Sequence, residues 1–198
     1  MNEILVLYYS KYGAVKKLAN YIARGINSVE SVNARIRTVP EISTLCEKKE
    51  PEVPDSGAPY VTFNDLKECI GLALGSPSRF GSIASPLKYF LDSTTDDWLA
   101  GTLNEKPAAL FTSSSSMHGG QEACILSMMI PLLHHGMLII GLPYIDSKLM
   151  TTQSGCSPYG VSHWDGIDND KEISEEEKHL AILQGKRLAK TALKLTKN

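Results

Sequence analysis

Residues 4–9 form an unbroken apolar run, Ile-Leu-Val-Leu-Tyr-Tyr, which stops abruptly at Ser10. A strand that is apolar at every position is buried on both faces, as in a parallel sheet with helices on each side; a strand with one wet face would alternate. This run restricts the fold more than any other stretch, and the rest of the chain agrees with it. Val15, Leu18, Ala19, Ile22 and Ile26 recur at helical spacing and mark one apolar helix face. Residues 34–39 alternate like a second strand, and 70–76 read as a third, buried one. A helical pattern then covers 85–93, a fourth strand 108–113, a helix Gln121 to about His135, and a fifth strand 137–142. Residues 40–59, rich in Pro, Glu and Lys, read as an exposed loop. A Gly-, Ser- and Asp-rich stretch after Pro143 leads to a last helix, about Ser174 to Lys194, whose Ser174-Glu175-Glu176-Glu177 opening is a capping-box signature.

Alternating strands and helices imply an α/β fold, a doubly wound and mostly parallel sheet with helices on both faces. Five strands suit the flavodoxin-like order 2-1-3-4-5, in which a ligand sits at the C-terminal strand ends near the switch point between strands 1 and 3. A chain of 198 residues fits one domain spanning 1–198. Twenty basic against twenty-two acidic residues leave a net charge of −2, which gives no support to a nucleic-acid partner. No apolar run approaches the roughly 20 residues of a transmembrane helix, and the N-terminus reads as strand rather than as a secretory signal. Cys46, Cys69, Cys124 and Cys156 are scattered without a C-x-x-C, which points to a reducing cytoplasm and to neither a disulfide framework nor a metal site.

In that strand order three loops converge: 10–15 (Ser-Lys-Tyr-Gly-Ala-Val), 75–82 (Gly-Ser-Pro-Ser-Arg-Phe-Gly-Ser), and 112–122 with its run Ser113-Ser114-Ser115-Ser116. All are rich in hydroxyls and glycines, and two carry an aromatic residue. A helix starting just after Gly13 would offer unpaired N–H groups and a positive dipole end to a phosphate, although an ordinary tight turn reads the same way. Neither a P-loop nor a G-x-G-x-x-G is present. Phe80 is read equally well as a core aromatic or a ring contact, and Arg79 is placed to act at the site. His134 and His135 cannot share a helix face, so a two-histidine metal pair is disfavoured and one of them is structural. The stretch 165–172 (Asp-Gly-Ile-Asp-Asn-Asp-Lys-Glu) lacks the offsets of a calcium loop and reads as a solvated turn.

The motifs at 5–13, 75–81, 110–122, 132–137 and 157–160, together with Glu177, Ala181, Gln184 and Gly185 of the last helix, resemble one family in order and over almost the whole chain. It is the tryptophan-repressor-binding-protein-like NAD(P)H:quinone oxidoreductases, flavodoxin-like proteins that hold FMN. The resemblance implies that Ser10, Lys11, Tyr12, Gly13, Ala14 and Val15 wrap the FMN phosphate. It implies that Ser78, Arg79 and Phe80 contact the flavin ring, and that Ser113, Ser114, Ser115, Ser116, Met117, His118 and Gly119 line its other edge. His134 would lie near the ring as the catalytic group, while Tyr12 and Trp98 would border the nicotinamide and quinone substrates. A homotetramer whose subunits complete each other's sites is also implied, as is ping-pong, two-electron reduction of quinones to hydroquinones by NAD(P)H. The alternative is an FMN-binding electron carrier or scaffold without turnover. Two departures stand out. The first loop has Tyr12 and Val15 where flavodoxins carry threonine, and the chain diverges from the family's Asp-Gly-Ser-Arg after residue 160, with Asn169 able to take the left-handed position of the missing glycine.

Overall fold

In the computed structural model, which describes residues 2–42 and 57–196, the first strand occupies the place its composition demands. Cys46 and most of the 40–59 loop lie outside the described residues. In β1 (Asn2–Tyr8) the side chains of Ile4, Val6 and Tyr8 enter one core while Leu5 and Leu7 enter another. Both cores are built of buried apolar side chains, which is why no polar residue interrupts the run.

The chain continues through α1 (Ala14–Asn27), β2 (Val32–Thr38), α2 (Phe63–Glu68), β3 (Gly71–Pro77), α3 (Ser85–Asp92) and α4 (Thr95–Leu99). Then come β4 (Pro107–Ser114), α5 (Gln121–His134), β5 (Leu138–Ile139), α6 (Ser147–Thr151), β6 (Val161–Trp164) and α7 (Glu175–Leu195). All strand pairings are parallel and the order is β2-β1-β3-β4-β5, as the pattern predicts. Helices α1 and α7 cover one face of the sheet; α2, α3 and α5 cover the other.

The fifth position departs from expectation. It is filled twice: β5 pairs with Pro107 and Ala108 at the start of β4, and β6 pairs with Phe111 to Ser114 at its end. The chain leaves the sheet after Ile140 and rejoins it at Val161, so residues expected only as a polar stretch supply a sixth strand. The side chain of Gln184 ties that strand in, accepting from the Val161 N–H (3.1 Å) and donating to the Leu110 carbonyl (3.0 Å). One turn of α7 carries Gln184 and Gly185, and Gly185 lies against the Ile22 carbonyl of α1 so closely that any Cβ would overlap it. Gly25 meets the Ile182 carbonyl in the same way, so the two helices cross at backbone distance. At the start of α7 the expected capping box is present between Ser174 and Glu177.

Three short helices, α2, α4 and α6, were not anticipated. Helix α2 opens on a Thr62–Asp65 capping box, and the Asp65 carboxylate also pairs with Arg35 and Arg37 of β2. Helix α4 carries Trp98, whose surroundings read as loop in the sequence because Thr95, Asp96 and Asp97 mask a single helical turn.

Candidate cofactor site

The loops after β1, β3 and β4 do meet, at the C-terminal edge of the sheet. They enclose a cleft of about 270 Å³, walled mainly by polar groups. From the first loop Ser10, Lys11, Tyr12, Ala14 and Val15 line it, from the second Ser78 and Arg79, and from the third Ser113, Ser114 and Ser115.

Helix α1 presents its N-terminus there. Its N-cap is Gly13 at φ 95°, a left-handed conformation that bends the chain from strand into helix and that glycine adopts without strain. Ser10 Oγ accepts from the N–H groups of Gly13 (3.1 Å) and Lys16 (3.3 Å), and the first turn carries no acidic residue. The positive end of the helix dipole therefore faces the cleft without a fixed negative partner in that turn.

In the second loop Arg79 and Ser82 exchange backbone hydrogen bonds of 2.9 and 3.0 Å around Phe80 (φ 52°) and Gly81 (φ 74°). Two central residues at positive φ mark a type I′ turn. For a phenylalanine this conformation costs roughly 1–2 kcal/mol. Its ring is fully exposed (109 %) at the rim, so it is not a core residue. Strained backbone of this kind clusters at active sites and ligand clamps. Ser78 Oγ donates to the Gly119 carbonyl (2.7 Å) and fastens this turn to the third loop.

The serine run is ordered. Ser113 and Ser114 are the buried end of β4, Ser114 Oγ donates to the Ser116 carbonyl (2.7 Å), and Gln121 Nε2 donates to Ser114 Oγ (2.8 Å). Met117 and His118 turn away and line a second cleft with Ser154 and Cys156.

A fourth wall was missed in the sequence. Asp165, Ile167 and Asn169, from the stretch read as a solvated turn, line the cleft. Asn169 takes the expected left-handed conformation, φ 56°. Val161–Trp164 form β6 beside β4 and so deliver the following loop to the same sheet edge, but Val-Ser-His-Trp, with one β-branched residue and no alternation, does not mark a strand by itself. Asp165 is held by its N–H to the Ser114 carbonyl (3.0 Å), and Trp164 Nε1 donates to the Ser115 carbonyl (3.2 Å). Burial pushes the Asp165 carboxyl above the usual carboxylate range, against the opposing pull of His163 and Arg79.

Behind this wall lies a buried histidine–carboxylate pair. His163 Nδ1 is 2.8 Å from Glu177 Oε2 and its Nε2 is 3.1 Å from the Lys171 carbonyl, so both acceptors are met when each ring nitrogen carries a hydrogen. Glu177 also accepts from Ser154 Oγ (2.6 Å), the Gly155 N–H (2.9 Å) and the Ser174 N–H (2.8 Å). Burial alone would raise the Glu177 carboxyl, but these hydrogen bonds, led by that of His163, hold it below the usual range.

A model of the NADPH-dependent FMN reductase family matches residues 3–147, from the start of β1 into α6. The chain belongs to the NADPH-dependent FMN reductase family. Beyond that segment the likeness continues: a protein of Trichlorobacter lovleyi named NAD(P)H dehydrogenase (quinone) is 37 % identical over 203 residues, covering 99 % of this chain and all of the relative. Among solved structures, a WrbA-like flavodoxin from Agrobacterium tumefaciens superposes with a TM-score of 0.69 at 19 % identity, covering 98 % of this chain and 99 % of its own. A flavodoxin from the domain Archaea gives 0.64 at 19 % identity, covering 96 % and 99 %. These last two similarities concern the fold.

Within one chain of this FMN reductase family member, His134 and Trp98 stand apart from the cleft, as Met117 and His118 do. His134 ends α5, whose N-terminal end adjoins the cleft; its 14 residues span about 20 Å at ~1.5 Å per residue. Trp98 is next to it, its indole N–H donating to the His134 carbonyl (2.8 Å). Neither residue is among those lining its own chain's cleft. The neighbouring His135 is the structural histidine: it is buried, its Nε2 lies 3.0 Å from Thr94 Oγ1, and burial lowers its pKa.

Proposed function

We propose that this protein is an FMN-dependent NAD(P)H:quinone oxidoreductase. The observation that carries the reading is the convergence, in one cleft, of the N-terminus of α1 and the hydroxyls of Ser10, Ser78, Ser113 and Ser115, with the strained, solvent-facing ring of Phe80 next to Arg79 of its lining. The residues fit FMN: Ser10 and the backbone N–H groups of the turn through Val15 suit its phosphate, and Lys11 adds a cation beside them. Bound FMN supplies two-electron redox chemistry between a nicotinamide donor and a quinone. The chain positions it and walls off the substrate space, with Tyr12 and Phe80 as apolar faces on which flat rings stack. The name of the Trichlorobacter lovleyi relative, a quinone dehydrogenase, favours turnover over the electron-carrier alternative.

The reading includes a homotetramer in which His134 and Trp98 act on a neighbouring subunit's cleft, His134 stabilising negative charge that develops on the quinone oxygen. Two features support it. Those residues lie at the far end of α5 from their own cleft, and the outer face of α5 is apolar and exposed at Leu126, Ile130 and Leu133. It also includes a cytoplasmic setting, in keeping with the free thiols of Cys69, Cys124 and Cys156. No described helix is long and apolar enough to cross a membrane.

Fluorescence titration of apo-protein with FMN tests the cofactor, with saturable quenching at micromolar or tighter affinity expected, about −8 kcal/mol or better. Initial rates of NAD(P)H oxidation at several fixed concentrations of a small quinone test the activity. Parallel double-reciprocal lines are expected, because both substrates would use one ring face in turn. Absence of flavin binding, or of turnover by the loaded protein, would overturn the function.

A further inference from the structure

Asp165 presents an unmet demand. Its side chain is 95 % buried (5 % exposed), it lines the cofactor cleft, and its Oδ1 has no hydrogen-bond partner. A buried carboxylate oxygen without a donor is costly, and such a group persists where a ligand or an ion completes it. The carboxyl is not there by accident of packing, since the Asp165 N–H is fixed to the Ser114 carbonyl and its own carbonyl accepts from the Lys171 N–H (3.1 Å). The strand just before it, β6, is clamped from behind by the buried His163–Glu177 pair.

We propose that Asp165 is a specificity residue for the cofactor and accepts a hydrogen bond from a hydroxyl of the ribityl chain. The inference rests on reading the cleft as an FMN site. Of the three parts of FMN, the phosphate is an anion without a donor near neutral pH, and a carboxylate would repel it. The ring offers an N–H, but Phe80, the residue turned outward to meet a ring, is not among those lining this cleft. The ribityl chain is a row of hydroxyl donors joining the two. The cleft shared by Asp165, Ser10, Ser113 and Ser115 has the hydroxyl-rich walls that such a chain requires. Arg79 lines the same cleft and offsets the carboxylate charge through space.

The test compares FMN, riboflavin and lumiflavin, which share the ring and lose first the phosphate and then the ribityl chain. Binding is read by fluorescence titration of wild type, Asp165→Ala and Asp165→Asn, with circular dichroism and thermal melts of each protein as controls of the fold. Asp165→Ala is expected to weaken FMN and riboflavin by the same factor, about ten-fold or more, as for a hydrogen bond to a charged acceptor, and to leave lumiflavin unchanged. Asp165→Asn keeps an acceptor oxygen and the shape of the site, so its loss is smaller than that of alanine. Tighter FMN with unchanged riboflavin would mean that the carboxylate faces the phosphate and would overturn the proposal. Equal weakening of all three ligands, or of none, would overturn it as well. Failure of the wild type to bind FMN would instead bring down the functional reading on which it stands.

Discussion

At the residue scale, the site depends on a few backbone conformations that side chains cannot share. A Cβ built on Gly13 would meet nothing within 4 Å, yet the residue sits at φ 95°. Space is not the constraint there; the backbone is. Gly13→Val should let the turn relax in the apo-protein, so binding must restore the strained form at about 1–3 kcal/mol. FMN affinity is expected to fall accordingly with little change in thermal stability; unchanged affinity in a flavin titration would remove this turn from the phosphate. Trp98 calls for the opposite kind of reasoning. It is 47 % exposed and its clearest tie is the hydrogen bond to the His134 carbonyl. Trp98→Ala should therefore cost about 1–2 kcal/mol in a urea melt, below the ~3–5 kcal/mol of a core tryptophan, while FMN stays bound and the KM for quinone rises. Both residues show how far the site was legible. Ser10 to Val15 and the serine run were readable because glycine and hydroxyl residues after buried strands have few other uses. Asp165 was not, because its role comes from a strand that four residues, Val161–Trp164, make only when β4 is beside them.

At the element scale, α7 does more than cover a sheet. Glu177 at its N-terminus binds the 154–155 turn and His163 of β6, Gln184 stitches β6 to β4, and Gly185 admits α1. Helix α7 thus fixes the fourth wall of the cleft from the opposite side of the core. Glu177→Gln turns one carboxylate oxygen into a donor, although each oxygen already has two partners, Ser154 Oγ and the Gly155 N–H at Oε1, His163 Nδ1 and the Ser174 N–H at Oε2. Leaving a buried donor unmet in this way costs about 1–3 kcal/mol for each group. The pH dependence follows from the direction of the carboxyl's shift. Its folded pKa lies below the unfolded value of about 4.3, so its stabilisation is complete above that value and disappears as pH falls through the folded pKa. Urea melts should show the full gap between wild type and Glu177→Gln at pH 6–7 and a narrowing gap below about pH 4. A gap independent of pH would mean that packing, not charge, makes the contribution. The capping box was evident in the sequence, since Ser-x-x-Glu before an apolar pattern has a local meaning. The rest of what Glu177 does was hidden, because residues 154, 155 and 163 reach it only through the fold. The division of the fifth strand was hidden for the same reason: residues 137–142 read as one strand, yet only Leu138–Ile139 forms it, and its continuation begins more than twenty residues later.

At the scale of the whole molecule, the separation of His134 and Trp98 from their own cleft makes assembly a question of mechanism. Helix α5 is buried at Cys124, Ile125, Met128 and Leu132 and apolar again on the outside at Leu126, Ile130 and Leu133. A surface helix of a monomer would place polar residues on that second face. Ile130 is 60 % exposed, so Ile130→Glu changes the outer stripe without entering the core. A charge placed in an apolar contact between subunits must be desolvated without a partner, which weakens association far more than folding. Light scattering is expected to show the wild type as a tetramer and Ile130→Glu as smaller species of similar thermal stability. The dissociated variant should still bind FMN, since the cleft is built within one chain, but its turnover with quinone should fall at least several-fold, because no neighbour brings His134 and Trp98 to the substrate. A variant that dissociates yet turns over normally would show that each chain works alone, and the role given to His134 would then have to be withdrawn.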